Sequence, residues 1–207
     1  MTNSQYFDDQ PTVASNRREI ELVLPDVFLS LSTDSGVFSA GQVDKGTRYL
    51  LKDAPSLDEL PALPETILDL GCGYGPIALT YAKRAPDATV VGVDVNERAL
   101  GLAAANAEAN AVTNTRFGTL DDIDPELHFD LIVSNPPIRI GKAALHELLT
   151  TWLDRLSPGG RAWMVVQKHL GSDSLMSWLN EHGRPTTRLS SRKGFRILEV
   201  LARQETA

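Results

Sequence analysis

Ile67-Leu68-Asp69-Leu70-Gly71-Cys72-Gly73-Tyr74-Gly75-Pro76 is a short apolar run that passes into alternating glycines and then a proline. The run has the length and side chains of a strand buried on both faces. Pro76 suits a first helical turn, where its missing N–H costs nothing. The stretch therefore reads as strand, turn and helix. Glycines at 71, 73 and 75 allow positive φ and close approach of a ligand, and the helix N-terminus behind them offers free N–H groups to a carboxylate. A second apolar strand, Thr89–Val93, ends in Asp94, 19 residues beyond Gly75. An acid at that place can take both hydroxyls of a ribose.

Strand and helix signals alternate from residue 66 onward, which predicts an α/β fold with a doubly wound, mostly parallel, seven-stranded sheet. Strands are expected at Thr66–Leu70, Thr89–Val93, Thr115–Phe117, Phe129–Val133 and Ala162–Gln167. An antiparallel pair near Thr187–Ser190 and Phe195–Ala202 closes the chain. Helices are expected from Pro76 to about Arg84, and through the alanine-rich segment capped by Asn96. Others run from about Lys142 to Leu156, ended by Ser157-Pro158-Gly159-Gly160, and from a Ser172 or Asp173 cap to Gly183. Upstream, Ile20–Leu24 and Val27–Leu31 form a small β appendage, followed by a helix over Asp44–Leu51 and a proline-rich connector. The expected division is an N-terminal extension over residues 1–60 and a catalytic domain over 61–207.

The ligand follows from detail. A dinucleotide fingerprint wants Gly or Ala at its sixth position for close helix packing, and here that position is Pro76. Asp69, two residues before the first glycine, suits a cationic amino-acid ligand better than a pyrophosphate. Both features favour S-adenosylmethionine. The chemistry is marked by Ser134-Asn135-Pro136-Pro137, directly after the fourth strand. Proline fixes its own φ and holds the residue before it extended. The Asn135 side-chain oxygen and the Pro136 carbonyl can then converge on the two hydrogens of a planar –NH₂ group and turn its lone pair toward an electrophile.

With these motifs the chain resembles the class I S-adenosylmethionine-dependent methyltransferases, and within them the methyltransferase small domain family. Gly36-Val37-Phe38-Ser39, Val43-Asp44-Lys45-Gly46-Thr47, Gln167-Lys168 and Lys193-Gly194-Phe195-Arg196 resemble that family's segments, as do Tyr6-Phe7 and Pro11. The family includes enzymes that methylate a guanine amine in small-subunit ribosomal RNA, of which this chain corresponds to the catalytic half. The resemblance implies a catalytic group of Asn135, Pro136 and Pro137. It implies a cofactor set of Asp69, Gly71, Cys72, Gly73, Gly75, Asp94, Val95 and Thr119, with Asn135 alongside. Two positions depart from the family pattern. Ile138 stands where an aromatic often follows the prolines, so stacking on the acceptor falls to Phe38, with Phe195 or Tyr6 behind it. Gly118-Thr119-Leu120 offers only a hydroxyl where the adenine acceptor is usually Asp or Asn.

Charge points to the partner. The net charge is −7, but residues 1–138 carry 9 Lys and Arg against 21 Asp and Glu, whereas residues 139–207 carry 11 against 6. Such asymmetry suggests a polyanion-facing surface. Arg139, Lys142, Lys168, Arg192 and Lys193, with Arg196, are the candidate RNA contacts. The single cysteine, Cys72, excludes an internal disulfide and fits a cytoplasmic protein. No pattern of metal-ligand spacing occurs, so no metal is expected, and no signal peptide or spanning segment is legible. An oligomer stays open. Three other readings also stay open: a protein glutamine N-methyltransferase, a non-catalytic cofactor- or RNA-binding module, and, least favoured, a dehydrogenase.

Overall fold

The computed structural model describes residues 13–203; Tyr6, Phe7 and Pro11 lie outside the described residues. Among the described residues nine strands and five α-helices follow one another: β1 (Arg18–Val23), β2 (Phe28–Thr33), α1 (Lys45–Asp53), β3 (Thr66–Leu70), α2 (Pro76–Arg84), β4 (Thr89–Val93) and α3 (Glu97–Ala109). They continue as β5 (Thr115–Gly118), β6 (Phe129–Ser134), α4 (Lys142–Leu153), β7 (Leu156–Gln167), α5 (Ser172–Glu181), β8 (Thr186–Arg192) and β9 (Phe195–Leu201). The main sheet has the order β5-β4-β3-β6-β7-β9-β8, with β9 antiparallel to both its neighbours.

Strand alternation sends successive side chains to opposite faces, and the apolar strands fill both. Ile67, Leu131, Val133, Trp163 and Val165 face the layer made by α1, α2, α3 and the β1–β2 hairpin. Leu68, Ile132, Met164 and Val166 face α4 and α5. The hairpin shares the first of these cores through Leu22, Leu29 and Leu31. One edge of β2 is covered by α3. Asn106 exchanges hydrogen bonds with the Ser32 backbone at 2.7 and 2.9 Å, and Asn110 does the same with Ser30 at 3.1 and 2.7 Å. Two amides one helical turn apart thus stand in for a third strand and blunt an otherwise open edge.

Strand order locates the site. From β3 the chain moves outward to β4 and β5, then returns to place β6 on the other side of β3. The crevice at the carboxyl ends of β3 and β6 is therefore the topological switch point, where open α/β sheets bind ligands. Leu70 pairs in register with Ser134, so the glycine turn and the Asn-Pro-Pro elbow leave the sheet side by side.

Several boundaries differ from the sequence expectation. The α4 helix ends at Leu153, not Leu156, and Ser157–Gly160 belongs to β7 as an irregularity. There the pairing jumps from Phe129↔Leu156 to Leu131↔Arg161, and Gly159 takes φ 79°. The α5 cap is Gly171, at φ 98°, rather than Ser172 or Asp173. Ser172 is instead the buried first helical residue, and Asp173 is drawn off into an ion pair with Arg196. Asp44 is not the first residue of α1 but its cap, accepting from Gly46 N at 2.7 Å and Thr47 N at 3.0 Å.

Candidate active site

A cavity of about 250 Å³ opens at the switch point. Its floor is Gly71, Cys72 and Gly73, one wall is Asp94, Val95 and Asn96, and the opposite wall is Asn135, Pro136, Pro137 and Ile138. Phe38 closes the rim, 48% exposed. Its loop is held down by Asn96, whose side chain caps α3 by accepting from Ala99 N (3.1 Å) and donates to Gly36 O (2.9 Å).

The glycine turn is clamped to β4. The N–H groups of Gly71 and Cys72 both donate to Val93 O at 2.9 Å, and Gly73 N donates to Asp94 Oδ2 at 2.8 Å. These three donors are committed within the protein. One N–H of the helix N-terminus is committed as well, because Asp69 Oδ2 accepts from Ala78 N at 2.8 Å. What the turn offers is room. Gly71 and Gly73 have positive φ, and a Cβ on either would project into open space, so a side chain there would fill the ligand's place.

Asp69 lies beneath the floor, 1% exposed, and its Oδ1 is buried with no partner. Burial pushes its carboxyl up to about 8, against the Ala78 hydrogen bond and helped by the Asp94 charge. Asp94 accepts from Gly73 N and Asn96 N and is also raised, again mainly by burial. A carboxyl that holds its proton only when folded makes stability fall with pH. Stability should therefore fall as pH rises from the unfolded value of 3.8 toward about 8. Asp69→Asn should remove that fall: in denaturant titrations at pH 5 and pH 8 the wild type should lose stability relative to the variant. Parallel behaviour of the two proteins would contradict this placement of Asp69.

On the opposite wall, Asn135 Nδ2 donates to Asp44 Oδ2 at 3.0 Å and to Thr47 Oγ1 at 3.1 Å. The amide carbonyl is left to accept from something else. Pro136 O accepts from Ile138 N at 2.8 Å, using one of its two lone pairs. Burial, with Asp69 and Asp94 close by, pushes the Cys72 thiol up, the reverse of what a nucleophile needs.

Arg139 lines the mouth of the cavity, and Lys142, Lys168, Arg192 and Lys193 are exposed. Because β8 runs parallel to β7, the β8–β9 turn carrying Lys193 lies at the same sheet edge as the ends of β6 and β7. Lys168 N donates to Gly194 O at 2.8 Å, joining two of these basic loops. Arg196 does not belong to this surface: it is buried and paired with Asp173.

Two other expected residues lie off the cavity. Phe195 wedges under α1, against Tyr49 and so close to Gly46 that a Cβ there would sit 2.9 Å from its ring. The Thr119 hydroxyl and N–H both donate to Asp122, and Leu120 takes the wall position. Gly75 caps α2 behind the floor. Asp44, Thr47, Ala99, Leu120 and Gln167 were not among the expected site residues and do line the cavity. The segments carrying Asp44, Thr47 and Gln167 were visible as resemblances without a role.

The family model of the methyltransferase small domain matches residues 29–199. The chain belongs to the methyltransferase small domain family. It is 36% identical over 201 residues to the uncharacterised protein YbxB of Bacillus subtilis, covering 96% of this chain and 98% of that one. It is 34% identical over 179 residues to ribosomal RNA small subunit methyltransferase C of Hahella chejuensis, covering 84% of this chain and 49% of the relative. A solved structure of the T. thermophilus 16S rRNA N2 G1207 methyltransferase RsmC, in complex with AdoMet and guanosine, superposes with a TM-score of 0.71. It is 25% identical and covers 93% of this chain and 52% of that one. The chain thus spans about half the length of the ribosomal RNA methyltransferases it matches.

The methyl donor of this methyltransferase family is S-adenosylmethionine, and the residues present fit it. The space over Gly71 and Gly73 suits the methionine end, with the orphaned Asp69 oxygen beneath that floor. Asp94 lines one wall, where it would meet the ribose, and Val95, Ala99 and Leu120 line an apolar stretch that would face the adenine. Among the described residues no group of His, Cys, Asp and Glu could hold a metal, and no helix is long and apolar enough to cross a membrane.

Proposed function

We propose that this protein is an S-adenosylmethionine-dependent N-methyltransferase acting on the exocyclic amine of a guanine in ribosomal RNA. The observation that carries the reading is Asn135, held by its Nδ2 with its carbonyl left to accept, beside the space over the glycine turn. Bound S-adenosylmethionine supplies an activated methyl group on a sulfonium. Asn135 Oδ1 and the remaining lone pair of Pro136 O take the two hydrogens of the acceptor amine and aim its lone pair at the methyl carbon. Positioning of this kind supplies most of the rate in a reaction whose electrophile is already activated. The same two oxygens stabilise positive charge as it grows on nitrogen. The methylated nitrogen then loses its proton to water, so no strong base is needed.

Phe38 is the stacking surface for a guanine taken out of its own stack, in the place left by Ile138. The likeness to RsmC supports guanine as the acceptor, and the basic loops at the cavity mouth support RNA over a protein glutamine. Mass spectrometry of nucleosides from small- and large-subunit RNA, with and without the gene, is the test. Loss of N2-methylguanosine from one position supports the reading, and unchanged RNA nucleosides refute it.

The basic loops give a separate expectation. Lys and Arg that meet phosphates add affinity by releasing counterions, so binding weakens with salt. Reversing charge at Arg192 and Lys193 together should lower RNA affinity about tenfold at low salt, flatten the salt slope and leave cofactor binding alone. Arg192 also lies 3.6 Å from Asp53, an exposed pair worth little to stability. RNA affinity unchanged in filter-binding titrations would remove these loops from the interface.

A further inference from the structure

We propose that Asp44 and Thr47 are positioning residues that fix which end of the Asn135 amide faces the acceptor. The inference rests on the amine-gripping reading and explains why Asp-x-Gly-Thr has its spacing. An amide has a donor end and an acceptor end of nearly the same shape, and only the acceptor end can grip an –NH₂ group. Turned the other way, Asn135 would point two N–H donors at the donors of the amine. Something must therefore decide the orientation before substrate arrives.

Asp44 decides it. A carboxylate has no proton to give and can only accept, so the side of Asn135 that meets Asp44 Oδ2 at 3.0 Å has to be Nδ2. Thr47 alone could not decide, since a hydroxyl serves as donor or acceptor. With Asp44 in place it adds a second acceptor at 3.1 Å. The carboxylate is itself fixed, because the same Oδ2 caps α1 through Gly46 N and Thr47 N. Gly46 provides the room: a Cβ there would lie 2.9 Å from Asp44 Oδ2 and 2.9 Å from the Phe195 ring. Cap, space and second acceptor thus occupy positions 44, 46 and 47 of one helical turn. Through it α1, which precedes the glycine turn in the chain, sets the orientation of a side chain that follows β6.

The test uses the full-length protein and two variants. Asp44→Ser combined with Thr47→Val retains a helix-capping oxygen but is one bond too short at 44 and lacks the hydroxyl at 47, so Asn135 is free to turn. Asp44→Asn keeps one carbonyl oxygen that can take the place of Oδ2 and accept the same three N–H groups. At saturating cofactor and RNA, the double variant should turn over at least tenfold more slowly than wild type, with its melting temperature within a few degrees. Asp44→Asn should lose less than the double variant. A loss under tenfold in the double variant would overturn the proposal. An equal loss in Asp44→Asn would overturn it too, since the carboxylate charge would then be acting directly. A second readout needs no acceptor and so separates this inference from the RNA reading. In the ligand-free protein, hydrogen exchange at the Asn135 side-chain NH₂ (assigned by its loss in Asn135→Asp) should be at least tenfold faster in the double variant. Equal exchange rates would overturn the proposal even if RNA proved to be the substrate, and faster exchange would sustain it even if RNA did not.

Discussion

Asn135→Ala is expected to slow methyl transfer by roughly a hundredfold to a thousandfold, the size seen when one preorganised hydrogen-bonding group is removed from a charge-developing centre. Cofactor affinity should stay within a few fold. The side chain lies on the wall opposite Asp94, and its Nδ2 is already spent on Asp44 and Thr47. Its remaining oxygen therefore faces the acceptor side. Its removal leaves Asp44 with two backbone donors, so the fold should hold. Loss of turnover at constant cofactor affinity is what removing a contact used at the transition state looks like. Turnover within tenfold of wild type, in rapid-quench assays at saturating cofactor, would mean that the amine is held by something else.

Asp94→Ala is expected to weaken S-adenosylmethionine binding by about 3 kcal/mol, roughly a hundredfold, as two charge-assisted hydrogen bonds to the ribose are lost. The structure adds a second cost. Asp94 accepts from Gly73 N and Asn96 N, so the variant also loosens the glycine turn and leaves backbone donors without partners. Asp94→Asn keeps one acceptor and should fall between wild type and alanine. Titration calorimetry distinguishes the three, and equal affinities would exclude Asp94 from the cofactor site.

The sheet was legible in the sequence because its strands are buried on both faces and bounded by strong punctuation. Thr66–Leu70 and Thr89–Val93 end at glycine and aspartate as expected, and Asn96 caps α3. The boundaries that moved, around Ser157–Gly160 and Ser172, are places where pairing with a distant strand or an ion pair overrode local turn chemistry. The site was half legible. The turn and the elbow lie within contiguous motifs, whereas Asp44 and Thr47 reach Asn135 across 91 and 88 residues of chain, which no local pattern encodes. Thr119 and Phe195 failed to reach the cavity for different reasons, the first local and the second long-range. Asp122 captures the first, and the bare Gly46 backbone admits the ring of the second. Charge counting found the basic C-terminal third, but could not tell that Arg184 and Arg196 are buried in ion pairs with Asp154 and Asp173.

Methyl transfer from S-adenosylmethionine carrying a ¹³C,²H-labelled methyl group tests the central claim most directly. Purified protein would be incubated with small-subunit particles and free ribosomal RNA from cells lacking the gene, and the products digested to nucleosides and to peptides for mass spectrometry. The account predicts label in N2-methylguanosine, with the signal lost in Asn135→Ala. Absence of label from RNA, together with labelled glutamine in a ribosomal protein, would contradict it.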